Sequence, residues 1–150
     1  MERVFDQGFG ELFVVRVAGN IAGPSQIGSL EYGVRQLGIR LVVVLGHSGC
    51  GAVDATVARL DDASQPLSSE LMSIVDEIHA VALKEREAAP DAGSEELLRG
   101  VVRRNAEAAA ARLRGAAGLE PLVSDGQVLV TPAVYALETG VVEYYGPDRA

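Results

Sequence analysis

Two short runs of branched apolar residues constrain the possible fold more than any other feature of this sequence. Residues 12–17 (LFVVRV) and 41–45 (LVVVL) each end in a glycine-containing turn. Such runs are typical of parallel strands that are covered on both faces. Between them, apolar residues recur at helical spacing, and Gly38 follows as a helix-ending residue: Ile27, Leu30, Val34 and Leu37. A strand–helix–strand order of this kind predicts an α/β fold.

The rest of the chain extends this pattern. Two further apolar stripes predict helices, one after the serine pair 68–69 and one capped by Ser94: Leu71, Ile74, Val75, Ile78 and Ala82, then Leu97, Val101, Val102, Ala108 and Leu113. Residues 128–131 predict a strand that continues through Pro132, which indicates a bulge or an edge position. The turn at 138–140 then predicts a terminal hairpin. We expect one α/β domain over residues 1–150, with a mostly parallel sheet.

Composition excludes several classes of function. The net charge of −8 over 150 residues argues against a nucleic-acid binder, which needs clustered Lys and Arg. The single cysteine excludes an intramolecular disulfide and is typical of a reducing compartment. No apolar run is long enough to span a bilayer, and the first residues do not resemble a signal peptide. We therefore predict a cytoplasmic protein that binds neither nucleic acid nor membrane.

The bend after residues 41–45 reads GHSGCG and holds one of the two histidines, His47, and the only cysteine, Cys50. Ligands of open α/β sheets bind beyond the carboxyl ends of the strands, where this bend is expected. The residues leave four interpretations open. They are a metal site using His47 and Cys50, an activated Cys50 thiol, an ordinary turn, and an anion-binding loop of backbone N–H groups at Gly46, Ser48, Gly49 and Gly51. The other histidine, His79, lies inside a helical pattern and is predicted to be a surface or boundary residue, not a ligand.

Taken together, these stretches resemble the β-class carbonic anhydrases. The resemblance is carried by FDQG at 5–8, GELFVVRVAGN at 10–20, GSLEY at 28–32, VVLGHSGCGA at 43–52, and, near the end, residues 134–135 and 139–141. It implies a three-layer α/β fold and the reversible, zinc-dependent hydration of CO2 to bicarbonate, a lyase reaction in which a zinc-bound water is the nucleophile. In this family two cysteines and one histidine hold the zinc, and His47 and Cys50 match the H-x-x-C pair of ligands.

One motif of the family is absent from this sequence. The first cysteine ligand belongs in the family to C-x-D-S-R, whose Asp and Arg form a catalytic dyad. Here Cys50 is the only cysteine and no Asp-Ser-Arg triplet occurs. The zinc site is therefore predicted to be incomplete, no catalytic residue is identifiable, and activity is expected to be impaired. The alternative is a catalytically silent relative that acts as a binding or scaffold protein, with a small anion as its ligand.

The resemblance also predicts a gap in the sheet. In the family, the strand that leads to C-x-D-S-R lies between the equivalents of residues 12–17 and 41–45. Its absence predicts two unpaired edges and a slot in the core. The flanking strands then pair directly, or a partner chain donates a strand, or the sequence is part of a longer product. Because the family's sites lie at a dimer interface, we expect a homodimer or a larger homo-oligomer, with Val4, Phe5 and Phe9 in the contact.

Overall fold

The computed structural model describes residues 1–64 and 66–146, which form six helices and three strands. The helices are α1 (Glu2–Phe5), α2 (Pro24–Leu37), α3 (Gly51–Asp61), α4 (Ser69–Ala88), α5 (Ser94–Arg114) and α6 (Glu120–Ser124). The strands are β1 (Leu41–His47), β2 (Leu129–Tyr135) and β3 (Val142–Tyr144), and a single 3-10 turn covers Ala18–Asn20. None of the helices in this described part is long and apolar enough to cross a membrane.

The strands form one mixed sheet in the order β1-β2-β3. β1 pairs with β2 in parallel over seven residue pairs, from Leu41 with Leu129 to His47 with Tyr135. β2 pairs with β3 antiparallel over three, so the predicted terminal hairpin is confirmed. Its turn closes through Gly140, whose φ of 74° lies in the left-handed region that glycine adopts without strain. The α/β fold with a mostly parallel sheet is thus confirmed.

Helix α5 joins the two halves of the apolar core. One cluster packs Ala106, Ala110 and Leu113 of α5 against the buried side of the sheet, including Val42 and Val130. The other cluster packs the first turns of α5 against α3 and α4: Leu97, Val101 and Val102 with Val53, Val57, Ile78 and Ala82. Because α5 contributes to both clusters, it holds β1 and the start of α3 in place relative to each other.

The prediction of a strand at residues 12–17 is wrong. These residues form no regular structure, and within 1–64 and 66–146 no backbone hydrogen bond joins them to β1. Val17 is extended, with φ −151° and ψ 152°, but a strand also needs a partner for its N–H and C=O groups. The two flanking segments, residues 12–17 and β1, therefore do not pair directly with each other, which was one of the three predicted outcomes.

Three smaller expectations also need correction. Pro132 lies in β2, the middle strand, and not at an edge or a bulge. The Pro132 carbonyl accepts a hydrogen bond from Tyr145 N–H, on the β3 side and just past the end of the β3 pairing. The Pro132 nitrogen faces the same side, so the missing N–H removes no hydrogen bond to β1. Gly93, rather than Ser94, is the N-cap of α5. The predicted order of elements lacks helix α3, because its apolar periodicity is short and starts inside the glycine-rich bend.

Candidate functional site

A cavity of about 990 Å³ lies where the sheet stops at β1. Residues 11–22 line one side and residues 41–45 of β1 line the facing side. Ala109 and Leu113 of α5 also contact it, while His47 and residues 50–52 lie at the end towards which β1 runs. We call this cavity the slot. It matches the gap in the core that the family resemblance predicts.

The 18–20 turn anchors the side of the slot that residues 11–22 line. Gly19 is buried in the left-handed conformation (φ 68°), and its carbonyl accepts a hydrogen bond of 2.7 Å from the buried amide of Asn105. A Cβ at Gly19 would lie 2.6 Å from Ile78 Cδ1 and 3.2 Å from Ala52 Cβ. Only glycine therefore fits this point, where the turn passes between α3, α4 and α5. The packing sets the turn beside the start of α3, next to Cys50.

Asn20 follows in the same turn and carries an unsatisfied donor. Its Nδ2 is the one buried side-chain nitrogen or oxygen without a hydrogen-bond partner among residues 1–64 and 66–146. The side chain lines the slot, and its Oδ1 lies 3.6 Å from where a Cβ of Gly46 would be. Buried polar groups are normally paired, so this amide marks a place where an acceptor is expected.

His47 is the last residue of β1 and is half-buried. Its Nδ1 lies 2.9 Å from the carbonyl oxygen of Ser48. A carbonyl can only accept, so this hydrogen bond requires the proton on Nδ1 and leaves a lone pair on Nε2 of the neutral ring. A backbone carbonyl that orients a histidine in this way is the usual second contact of a metal-binding imidazole.

Cys50 is the N-cap of α3 and is 6% exposed. It packs in the second core cluster beside Val53 and Val102, and it lines the same end of the slot as His47. Gly49, with φ 63°, makes the tight bend between the two residues. The structure thus brings both predicted ligands to one end of one cavity.

Ser48, which the sequence suggested as part of an anion-binding loop, makes structural contacts. Its hydroxyl donates to Glu138 Oε2 at 3.0 Å and accepts from Leu137 N–H at 2.9 Å. These bonds tie the bend to the turn between β2 and β3. An anion beside Ser48 would face the Glu138 carboxylate, which weighs against that interpretation of Gly46, Ser48, Gly49 and Gly51.

The described residues place no third metal ligand beside His47 and Cys50. Over residues 1–64 and 66–146, no group of three or more His, Cys, Asp and Glu side chains is placed so that it could hold a metal ion. The other histidine, His79, is exposed on α4, as expected. Sequence reasoning missed Asn20, Asn105 and Glu138. Only Asn20 had a signal, since it ends the stretch at 10–20 that carries the family resemblance.

The known proteins to which this chain is similar are described as carbonic anhydrases. The family model described as carbonic anhydrase matches residues 1–142. Carbonic anhydrase 2 of Mycobacterium tuberculosis is 49% identical over 65 residues, which are 43% of this chain and 31% of that protein. A carbonic anhydrase of Pseudomonas aeruginosa is 35% identical over 142 residues, covering 89% of this chain and 62% of that protein. The chain therefore spans less than two thirds of the length of either relative.

Solved structures show the same fold. A β-carbonic anhydrase of the ascomycete Sordaria macrospora superposes with a TM-score of 0.85 at 19% identity, over 97% of this chain and 74% of that one. The Coccomyxa β-carbonic anhydrase superposes with a TM-score of 0.81 at 23% identity, over 95% of this chain and 64% of that one. With the family match over residues 1–142, these likenesses lead to one conclusion: the chain belongs to the β-carbonic anhydrase family.

Proposed function

We propose that this chain carries the histidine and one cysteine of a carbonic anhydrase zinc site, and that it hydrates CO2 only when a further ligand is supplied. One observation carries the proposal: His47 and Cys50 lie together at the end of the slot, beyond the carboxyl end of a parallel strand. Family membership supports the reaction. The spacing of His47 and Cys50 and the orientation of the imidazole support their assignment as metal ligands.

The residues present do not make a complete catalytic zinc site. Such a site holds the metal with three protein ligands and leaves the fourth position to water. The described part of this chain offers two ligands, His47 and Cys50, and the sequence contains no second cysteine. We therefore assign no reaction step to the isolated chain. Its own residues present a lone pair on His47 Nε2 and hold the Cys50 thiol against apolar side chains.

Zinc titration tests this assignment. In competition with a fluorescent chelator, we expect weak binding by the chain, further weakened about tenfold or more in His47→Ala and in Cys50→Ser. His79→Ala is the matched control, because it removes the exposed histidine of α4 and should leave zinc affinity unchanged. Equal loss in all three variants would indicate non-specific binding and would overturn the assignment of His47 and Cys50.

We also propose that the protein is a homo-oligomer. Phe9 is fully exposed, and Phe13 and Val14 on the same N-terminal segment are 42% and 40% exposed. Of the predicted contact residues, Val4 and Phe5 are instead half-buried within the chain. An apolar segment of this kind favours burial against another subunit. The Sordaria macrospora structure is described as tetrameric, which supports an assembly of copies.

The alternative, a silent relative that binds a small anion, has weaker support. The Ser48 hydroxyl already donates to Glu138 and the loop offers no lysine or arginine of its own. A cytoplasmic location stays a prediction from the single cysteine. Folded protein that binds bicarbonate tightly while ignoring zinc would favour the alternative over the enzyme.

A further inference from the structure

We propose that Ser48 and Glu138 are positioning residues for His47. They fix the Ser48 carbonyl group, and this carbonyl holds the neutral imidazole with its proton on Nδ1 and its lone pair on Nε2. The choice of tautomer rests on hydrogen bonds between described residues alone. Its consequence for zinc binding rests on the proposed function. Ser48 and Glu138 act through another residue and not by contact with a ligand.

The tautomer of His47 depends on a single acceptor. In water the proton of a neutral histidine side chain prefers Nε2, so a ring with its proton on Nδ1 needs an acceptor beside that atom. Here the acceptor is the Ser48 carbonyl oxygen, 2.9 Å from Nδ1. Among residues 1–64 and 66–146, no hydrogen bond is made to Nε2. Whatever fixes the Ser48 carbonyl therefore fixes the tautomer.

Ser48 is held by both its backbone and its side chain. Its N–H donates to the Tyr135 carbonyl at 3.0 Å. Its hydroxyl accepts from Leu137 N–H at 2.9 Å and donates to Glu138 Oε2 at 3.0 Å. Because the nitrogen and Oγ are both anchored, only rotation about ψ could still turn the carbonyl away from His47. Loss of the hydroxyl removes one of these two anchors.

The turn that supplies the side-chain partners is itself closed. Two backbone hydrogen bonds, of 2.8 and 2.9 Å, close residues 136–141, and both involve Ala136. Leu137 N–H and the Glu138 carboxylate are therefore presented from a fixed backbone. Since Leu137 N–H occupies one lone pair of the Ser48 oxygen, the hydroxyl proton is directed to Glu138. This turn lies 90 residues along the chain from the bend that it holds.

The two positioning residues are expected to contribute unequally. Ser48 is half-buried and makes both side-chain bonds, whereas Glu138 is exposed and its carboxylate also meets water. A hydrogen bond shielded from water is electrostatically stronger than one that water competes for. Removal of the Ser48 hydroxyl should therefore disturb His47 more than removal of the Glu138 carboxylate. A graded response of this kind distinguishes the proposal from a general loosening of the turn.

Nitrogen NMR measures the tautomer directly. In the 150-residue chain labelled with ¹⁵N in its imidazole rings, two-bond ¹H–¹⁵N correlation shows which ring nitrogen carries the proton, and whether the ring is neutral. The measurement is made without metal. We expect His47 to carry its proton mainly on Nδ1. The other histidine, His79, is exposed on α4 and is the internal reference, with its proton mainly on Nε2.

Four variants test the two positioning residues. Ser48→Ala should shift the His47 tautomer ratio towards Nε2–H by about fivefold, and Glu138→Ala by about two- to threefold. Glu138→Gln keeps an acceptor oxygen of the same reach and should retain the wild-type ratio. Thr139→Ala is the matched control, because its hydroxyl accepts from Val141 N–H within the same turn and makes no hydrogen bond to Ser48. It should leave the ratio unchanged.

The outcomes separate positioning from a purely structural role. An unchanged His47 ratio in both Ser48→Ala and Glu138→Ala would refute the proposal, even if urea denaturation showed a loss of stability. An equal shift in Thr139→Ala would also refute it, since the turn alone would then be responsible. Glu138→Ala changes an exposed residue, so it still decides the matter if Ser48→Ala fails to fold.

Zinc titration of the same variants tests the link to the proposed function. If Nε2 of His47 binds the metal, Ser48→Ala should weaken zinc binding by about three- to tenfold, and Glu138→Gln should not. A shifted tautomer with unchanged zinc affinity would uphold the positioning role and contradict the assignment of His47 as a metal ligand. The two claims therefore fail on different measurements.

Discussion

Gly19→Ala tests the packing that holds the slot open. In the left-handed conformation of Gly19, alanine costs about 1–2 kcal/mol relative to glycine. Its methyl group would also lie 2.6 Å from Ile78 Cδ1, and Ile78 is fully buried. Overpacking of this kind costs about 1–3 kcal/mol. We therefore expect the free energy of unfolding to fall by about 2–5 kcal/mol.

Gly38→Ala is the matched control. Gly38 ends α2 with a φ of 71°, close to that of Gly19, but a Cβ there would meet no atom within 4 Å. It should lose only the conformational part, about 1–2 kcal/mol. Urea denaturation followed by circular dichroism measures both variants. Equal losses would refute the packing of the 18–20 turn against α3 and α4.

A double mutant isolates the clash further. Ile78→Val removes Cδ1, the atom closest to the added methyl group. On its own it should cost about 0.5–1.5 kcal/mol. Combined with Gly19→Ala it should cost less than the sum of the two single changes, by about 1 kcal/mol. Additive losses would mean that the two side chains do not meet.

Three further predictions concern neighbouring contacts. Asn105→Ala should lower the unfolding free energy by about 1–3 kcal/mol in urea denaturation, because the buried Gly19 carbonyl loses its donor; an unchanged midpoint would contradict that bond. Ser48→Ala should lower the free energy of unfolding by about 1–2 kcal/mol and leave bicarbonate binding, followed by ¹³C NMR, unaltered. Unchanged stability with weakened bicarbonate binding would restore the anion-binding loop. Phe9→Ser should leave stability unchanged and reduce the oligomer mass in light scattering, since Phe9 is fully exposed within the chain; an unchanged mass would exclude Phe9 from the interface.

Local patterns were enough to predict much of the fold. β1, the terminal hairpin and helices α2, α4 and α5 follow from apolar periodicity with glycine, proline and serine at the ends. Residues 12–17 have the same branched composition as β1 but form no strand. The difference is not local: β1 has β2 to pair with, whereas residues 12–17 have no strand partner among residues 1–64 and 66–146.

The sequence predicts two candidate metal ligands but not the contacts that surround them. His47 and Cys50 are predicted as ligands because they lie three residues apart in one bend after a strand. The hydrogen bond from Asn105 to Gly19 joins residues 86 positions apart, and the Ser48–Glu138 bond joins residues 90 apart. No pattern within a short window encodes such contacts, because they arise only when the helices pack.

Stopped-flow hydration of CO2 with a pH indicator tests most directly whether this chain holds only part of a carbonic anhydrase site. With the purified 150-residue chain and saturating Zn²⁺, we expect a rate equal to that of buffer with zinc alone. The Cys50→Ser variant should give the same rate. Rapid hydration by the wild-type chain that disappears in Cys50→Ser would show that His47 and Cys50 suffice for a working site, and would contradict the account.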